Sequence, residues 1–275
     1  MSNNSINLSI ILPTINEAKN LEKLIPEIVS ELNGCSIEEY EILVVDDGST
    51  DNTFSLINNL RESNENIQII VRKDEPSLPM SIYDGIIKAK YDYVMWLDAD
   101  GSMPAKTIRE LVNKQATNLN SVIIGSRFVS GGGYKGIQDI GETSFLGAVK
   151  NVRKSNDSVF GMVASTLFNK LLIFLLSSEV KDLTSGFIIG NKDNFKKEMF
   201  SVSSYGEYFV YLVSDLVQNK KNIIELGYIC ETRIHGQSKT ASSILQLINR
   251  GIPYIRAAII CRRKQWILKI NPINF

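Results

Sequence analysis

Two segments of this chain carry a run of four or more consecutive apolar residues and then end in acid. One is "YEILVVDD", closing at Asp46 and Asp47; the other is "YDYVMWLDAD", closing at Asp98 and Asp100. A strand with one face in water alternates apolar and polar residues, and these two do not. Both faces of each strand must be covered. "LSIILP" (Leu8–Pro13), "IQIIV" and "SVIIGSR" read the same way, and helical patterns separate them. Leu21, Leu24, Ile25, Ile28, Val29 and Leu32 recur at helical spacing, and Gly34 stops that helix. "DGSTDNT" is a turn that offers Ser49, Thr50 or Asp51 as the cap of a helix reaching about Arg61. Further helices are predicted over Pro79–Lys90 and around Ile108, Leu111 and Val112. Alternating strands and helices imply an α/β fold, a mostly parallel sheet flanked by helices.

The second half is less regular. From Gly131 to Asn156 the chain is glycine-rich and then polar, which predicts a long mobile loop over about residues 131–157. "VFGMVASTLFNKLLIFLL" reads as a strongly apolar helix, "SGFIIGNKDNF" as a strand leading to a turn, "EYFVYLVSDLVQNK" as a helix and "NIIELGY" as a strand. Residues 241–275 form a separate amphipathic helical tail behind a main domain over 1–240. In the tail Ile244, Leu247, Ile248, Ile252, Ile255 and Ile259 share a face, and Pro253 should bend it.

Charge supports two readings of that tail. The 275 residues carry 30 basic and 30 acidic side chains, so net charge names no partner. Eight of the basic residues lie between Thr232 and Phe275, where no acid occurs; residues 1–231 therefore hold 22 basic against 30 acidic. The tail either packs on the domain as a terminal helix or lies in the plane of an anionic membrane surface. No stretch reaches the roughly 20 apolar residues of a membrane span. Three cysteines, Cys35, Cys230 and Cys261, are widely spaced without a C-x-x-C, which argues against a disulfide framework or zinc site. With no basic, apolar leader at the N-terminus, a cytoplasmic setting is expected, peripheral to a membrane if the tail binds one. The basic tail lacks any nucleic-acid-reading motif, so no nucleic-acid partner is expected.

The acidic strand ends carry the functional signal. Ligands of open parallel sheets bind at the carboxyl ends of the strands. Asp46, Asp47, Asp98 and Asp100 all fall at such ends and would repel one another there. Two solvated acidic turns would account for either pair alone. Four carboxylates in one crevice are better explained by a divalent cation with oxygen ligands, held by Asp98 and Asp100. Neighbours in an extended segment point to opposite sides, so Gly101 must turn the chain, or one aspartate binds a ribose instead. A metal with so few protein ligands usually shares a phosphate-bearing partner, which suggests a nucleoside diphosphate. The phosphate loops of kinases and dehydrogenases are absent, and His235 is the only histidine.

Six motifs in order then carry a resemblance. "PTINE" (Pro13–Glu17), "VVDDGSTDNT" (Val44–Thr53), "LDADGS" (Leu97–Ser102), "GSRFVSGGG" (Gly125–Gly133), "DLTSGF" (Asp182–Phe187) and "RIHGQSK" (Arg233–Lys239) resemble those of family 2 glycosyltransferases, within them the dolichol- or polyprenol-phosphate mannose synthases. The similarity covers roughly residues 8–240. It implies a GT-A fold, a nucleotide-sugar donor and Mg²⁺ or Mn²⁺. By resemblance Pro13, Asn16, Glu17, Asp46 and Asp47 hold the nucleoside. Asp98 contacts ribose or metal, and Asp100 the metal. Arg127 faces the donor sugar or acceptor phosphate, and Arg233 and Lys239 bind phosphates from a closing loop. Asp182 stands near the acceptor or, as a simpler alternative, caps a turn. The implied acceptor is a polyprenyl phosphate. A saccharide acceptor in surface-glycan synthesis, or nucleotide-sugar binding without turnover, are the alternatives.

The sequence also departs from the pattern. Ser102 stands where many relatives have glutamine, and "EPSLPMSIYDG" replaces a glycine-rich stretch before Gly85. The loop Tyr134–Asp157 is longer than in close relatives. Gly161 stands where they place an arginine ahead of the pair corresponding to Ser165 and Asn169.

Overall fold

The computed structural model describes residues 5–35, 37–134, 137–138, 159–231, 233 and 244–270. Strands β1 (Ile6–Thr14), β2 (Ile37–Asp46), β3 (Ile67–Val71), β4 (Tyr93–Trp96), β5 (Ser121–Ser126), β8 (Ile188–Asn191) and β9 (Asn222–Gly227) form one sheet in the order β3-β2-β1-β4-β8-β5-β9. All pairings are parallel except the two that β8 makes, with β4 and with β5. Helices α1 (Ala18–Leu32), α2 (Thr53–Ser63), α3 (Leu78–Lys88) and α4 (Ala105–Ala116) cross between the early strands.

The uninterrupted apolar strands follow from two separate cores. Ile11, Leu43, Val45, Val94, Trp96, Val122 and Ile124 face one side, with α3 and the C-terminal helices. Ile10, Leu12, Ile42, Val44, Met95 and Ile123 face the other, with α1 and α4. Side chains alternate across a strand, so a sheet covered twice needs apolar residues at both parities. On α1 the predicted stripe is buried at Leu21, Leu24, Ile25, Ile28 and Leu32, while Val29 is only partly covered. Gly85 lets α3 come close to β1: a Cβ there would meet Ile11 Cγ2 at 2.5 Å.

Helix α5 (Val159–Leu176) precedes β8, and a 3₁₀ turn (Lys192–Asn194), α6 (Lys197–Ser201) and α7 (Tyr208–Gln218) follow it. The short strands β6 (Gly133–Tyr134), β7 (Ile137–Gln138) and β10 (Ile229–Cys230) make a second sheet, ordered β10-β6-β7. Two of these lie where the sequence predicts only loop: β6 pairs with β10 and β7 with β6, and this backbone pairing organises residues whose side chains show no periodicity. The rest of the expected 131–157 loop lies outside the described residues, apart from Gly131–Gly132.

Helix α8 (Ile244–Ile270) continues without a break past Pro253. Its buried side chains are Ala257, Ala258 and Cys261, against the core that also contains Leu172 of α5 and Leu212 and Val213 of α7. Ile252 and Ile259, expected on the apolar face, are exposed instead. Small residues permit close helix approach, so the alanines and not the isoleucines mark the packed stripe. Ile244, Leu247 and Ile248 have side chains outside the described set.

Trp96, the last residue of β4, is the largest fully buried side chain just before the Asp98–Asp100 turn. Phe195 meets its ring edge-on at 4.8 Å, and its Nε1 donates to Tyr208 Oη at 2.9 Å. Tyr208→Phe leaves that indole N–H buried without an acceptor. The expected cost is about 1–3 kcal/mol, measured as a shift in the urea midpoint; an unchanged midpoint would mean the bond is dispensable.

Candidate active site at the carboxyl edge of the sheet

The parallel ladder extends past the strand ends and brings three loops to one level. Asp47 N donates to Thr14 O at 2.9 Å, and Arg72 N donates to Asp46 O at 2.9 Å. The chain beyond β1, β2 and β3 therefore opens at one edge, beside the turn that follows β4. There a cleft of about 240 Å³ is lined on one side by Pro13, Thr14, Ile15, Glu17 and Asp47. Pro76, Ser77, Leu78 and Ser81 form a second wall, Asp98, Ala99 and Asp100 the floor, and Ser204, Tyr205 and Arg233 the third side.

Glu17, Asp47 and Asp100 are each held by a partner. Gly101, at φ 78°, turns the chain after Asp100 into a conformation that suits glycine. Asp100 Oδ1 then accepts from Ser102 N at 2.8 Å. Its other oxygen lies 2.9 Å from Arg233 Nη2, and Glu17 is 4.0 Å from Arg233 Nη1. Glu231 N donates to Ser102 O at 2.9 Å, which ties the approach to Arg233 onto the acidic turn. On the opposite wall the Asp47 carboxylate accepts from Arg72 Nη1 and, at 2.5 Å, from Ser77 N. Arg72 Nε donates in turn to Asp84 of α3 at 2.7 Å.

Asn16 and Asp46 serve the loops and do not line the cleft. Asn16 adopts φ 57° and its side-chain oxygen accepts from Thr50 N at 2.7 Å and Asp51 N at 3.2 Å. Asp46 accepts from the amide and hydroxyl of Ser49. Asp51 accepts from Ala18 N at 3.1 Å and Thr53 N at 3.0 Å, joining the first turns of α1 and α2. The cap position of α2 falls on Asn52, one residue past the expected candidates; of those, Asp51 accepts from a first-turn amide of each helix.

A second polar cluster lies under β8. An antiparallel strand starts where its parallel neighbours end, so the Asp182–Phe187 segment falls beside Arg127, just after β5. Asp182 is fully buried and accepts from Arg127 N (3.0 Å), Nε (2.9 Å) and Nη2 (2.8 Å). It also accepts from Thr184 N at 3.1 Å, the turn-capping alternative. Arg127 Nη2 reaches Thr184 Oγ1 at 2.7 Å. Asn169 of α5 clamps the same segment, accepting from Leu183 N at 3.0 Å, and Glu225 accepts from the amides of Lys181 and Asp182.

The model of the family described as Glycosyl transferase family 2 matches residues 9–198. The chain belongs to that family. It is 29% identical over 233 residues to a dolichol-phosphate mannosyltransferase of Pyrococcus furiosus, covering 84% of this chain and 58% of that protein. A dolichol-phosphate mannosyltransferase of Saccharomyces cerevisiae is 28% identical over 129 residues, 47% of this chain and 48% of that one. The matched regions thus span about half the length of these relatives. The crystal structure of glucosyl-3-phosphoglycerate synthase from Mycobacterium tuberculosis with Mn²⁺, UDP and phosphoglyceric acid matches at a TM-score of 0.61 and 16% identity, over 94% of this chain and 78% of that one. That likeness is one of fold, the GT-A arrangement.

In this family 2 chain, Pro13, Glu17, Asp47, Asp98, Asp100 and Arg233 share one cleft. Arg127 and Asp182 pair with each other in the neighbouring cluster. Lys239 and His235 lie outside the described residues. Arg72, Ser77, Ser204, Tyr205 and Glu207 were not anticipated. Arg72 had a usable signal: like Asp47, it directly follows a parallel strand. Glu207 had none; it fixes the third wall by accepting from Ser204 N at 2.8 Å and Tyr205 N at 3.2 Å, across a turn.

Burial, with Asp100 as the next cause, pushes the Asp98 carboxyl up to about 7, against the pull of Arg233. An ordinary aspartate loses its proton near pH 4. Between there and pH 7 the unfolded chain ionises first, so this group makes stability fall as pH rises. Asp98→Asn removes the charge and keeps the shape. Without divalent ions, its gain in Tm over the native chain should be larger at pH 8 than at pH 5; an equal difference at both would refute the assignment.

Proposed function

We propose that the chain transfers a hexose from a nucleotide sugar to a polyprenyl phosphate, with Mg²⁺ or Mn²⁺ and with inversion at the anomeric carbon. The observation that carries this reading is the cleft, walled by Pro13–Ile15 and Pro76–Leu78, in which Asp98 and Asp100 lie beside Arg233. It is supported by the family and by similarity to dolichol-phosphate mannosyltransferases.

The donor set fits a hard cation, provided a phosphate completes it. Among the described residues no group of three or more His, Cys, Asp or Glu is arranged to hold a metal. Two carboxylates with substrate oxygens are the usual arrangement for a cation that keeps waters and phosphates as ligands. Asp98 and Asp100 would hold it, and it would neutralise charge growing on the departing diphosphate.

The chain's own residues bind and orient. Asp47, fixed by Arg72 and Ser77, presents carboxylate lone pairs to N–H or O–H donors of the nucleoside. Arg233, with Lys239, binds the diphosphate. Arg127, its plane set by Asp182, offers Nη1, which lies 3.5 Å from Tyr134 Oη, to the acceptor phosphate. That phosphate is largely ionised near neutral pH, so its oxygen attacks without a strong base, consistent with a single histidine. The nucleoside diphosphate departs from the opposite side.

A membrane surface fits the outer face of the C-terminal helices. Leu167, Leu171 and Phe174 of α5 are exposed at successive turns, Phe174 to 78%. Ile252, Ile259 and Ile260 of α8 are exposed near Arg256, Arg262, Arg263 and Lys264. Apolar side chains beside basic ones suit an anionic bilayer interface. No helix among the described residues is long and apolar enough to cross a membrane.

The direct test mixes purified protein with short-chain polyprenyl phosphate, GDP- or UDP-sugars and Mn²⁺ or Mg²⁺. Lipid-linked product from one donor is expected, and Asp100→Ala should lower its rate at least about a hundredfold, the scale of a lost charge-stabilising contact. Product only with saccharide acceptors would move the function to glycan extension. Metal-dependent donor binding without any product would favour a binding protein. In sedimentation, anionic vesicles should pull down the native chain more than neutral ones, and Phe174→Glu should weaken this. Equal sedimentation with and without anionic lipid would remove the membrane reading.

A further inference from the structure

Arg233 occupies the ground that a cation would need. Its Nη2 lies 2.9 Å from Asp100 Oδ2, and Asp100 Oδ1 is already held by Ser102 N. Both oxygens of that carboxylate therefore have a donor. The same guanidinium faces Glu17 at 4.0 Å, and its charge acts on Asp98. Arginine stays protonated at any working pH, so this neutralisation is permanent until the side chain moves. Arg233 is only partly buried and it approaches from a segment anchored by Glu231 N on Ser102 O, so the contact can be exchanged without unpacking either core.

We infer that Arg233 is a specificity-determining residue that makes the acidic pair select a cation already carrying a diphosphate over the bare cation. This deepens the function proposed above and rests on its metal site. A bare divalent ion must displace Arg233 from Asp100 and then lie beside its positive charge. A cation with a diphosphate brings its own anion. As the ion takes Asp100, the guanidinium donors pass from that carboxylate to phosphate oxygens, so Asp100 and Arg233 each exchange one charged partner for another. The two-carboxylate donor set points the same way, because it is incomplete until phosphate oxygens arrive.

The test uses binding and no acceptor, so its failure is separable from failure of sugar transfer. Free Mn²⁺ is counted by its paramagnetic resonance signal, with protein alone and with added UDP or GDP, for the native chain, Arg233→Gln and Arg233→Lys. Arg233→Gln should bind bare Mn²⁺ about fivefold more tightly, the scale of one partly exposed ion pair. It should bind the nucleotide in the presence of Mn²⁺ about tenfold or more weakly, having lost a charge-assisted contact. Arg233→Lys keeps the positive charge and should keep the discrimination against bare Mn²⁺. A parallel fall in both affinities, or unchanged bare Mn²⁺ binding in Arg233→Gln, would overturn the inference. If none of the three proteins takes up Mn²⁺ with either nucleotide, the metal reading falls and takes this inference with it.

Discussion

Carboxylates gathered at one edge of a sheet repel one another, and the cleft exists because two arginines hold them in place. Arg72 arrives at the end of β3 and fixes Asp47; Arg233 arrives beyond β10 and meets Asp100. Neither arginine is near its partner in sequence. The sheet supplies the register that brings them together: the ladder still pairs at Thr14, Asp46 and Arg72, so three loops open at one height. Every other part of the site depends on that alignment.

The balance is incomplete by design of the chemistry. Asp98 stays shifted towards its neutral form even with Arg233 beside it, because burial and Asp100 together outweigh the arginine. A folded protein gains nothing from such a group, and residues held in this state are common where charge is needed for a ligand. The contrast with Asp182 is instructive. That carboxylate is more deeply buried, yet three donors of Arg127 and the amide of Thr184 satisfy it. One aspartate is a fixed support that sets an arginine; the other is an open valence facing a cleft.

The C-terminal half connects this cleft to the outer surface. Tyr254 of α8 packs so closely on Gly206 that a Cβ there would lie 2.0 Å from its hydroxyl. Gly206 adjoins Tyr205, which lines the cleft. The faces of α5 and α8 turned away from the core carry exposed apolar residues beside basic ones. Under the proposed function this geometry would hold the cleft wall at a fixed distance from a lipid surface, suited to an acceptor whose phosphate emerges from a bilayer.

Much of this was legible in the residues. Unbroken apolar runs require a strand buried on both faces, and the two cores on opposite sides of β1, β2 and β4 are the result. Acid directly after such runs had to fall at the carboxyl edge of the sheet, so the pattern alone points to Asp47, Asp98 and Asp100 as residues of the cleft there. Periodicity also found α1 almost residue for residue, because its stripe is set by local spacing. What the sequence could not settle is direction and partnership. "SGFIIG" is apolar whichever way it runs; only its insertion between β4 and β5 made it antiparallel and carried Asp182 to Arg127. The isoleucines of α8 outrank its alanines in hydrophobicity, yet close helix approach buried the alanines. Asn16 and Asp46 sit in motifs beside cleft residues, but hydrogen bonds to Ser49, Thr50 and Asp51 turned them into loop supports. Local spacing fixes which residues share a strand or a helix face. Long-range pairing decides which charge meets which, because that depends on sheet order and register, which no single segment encodes.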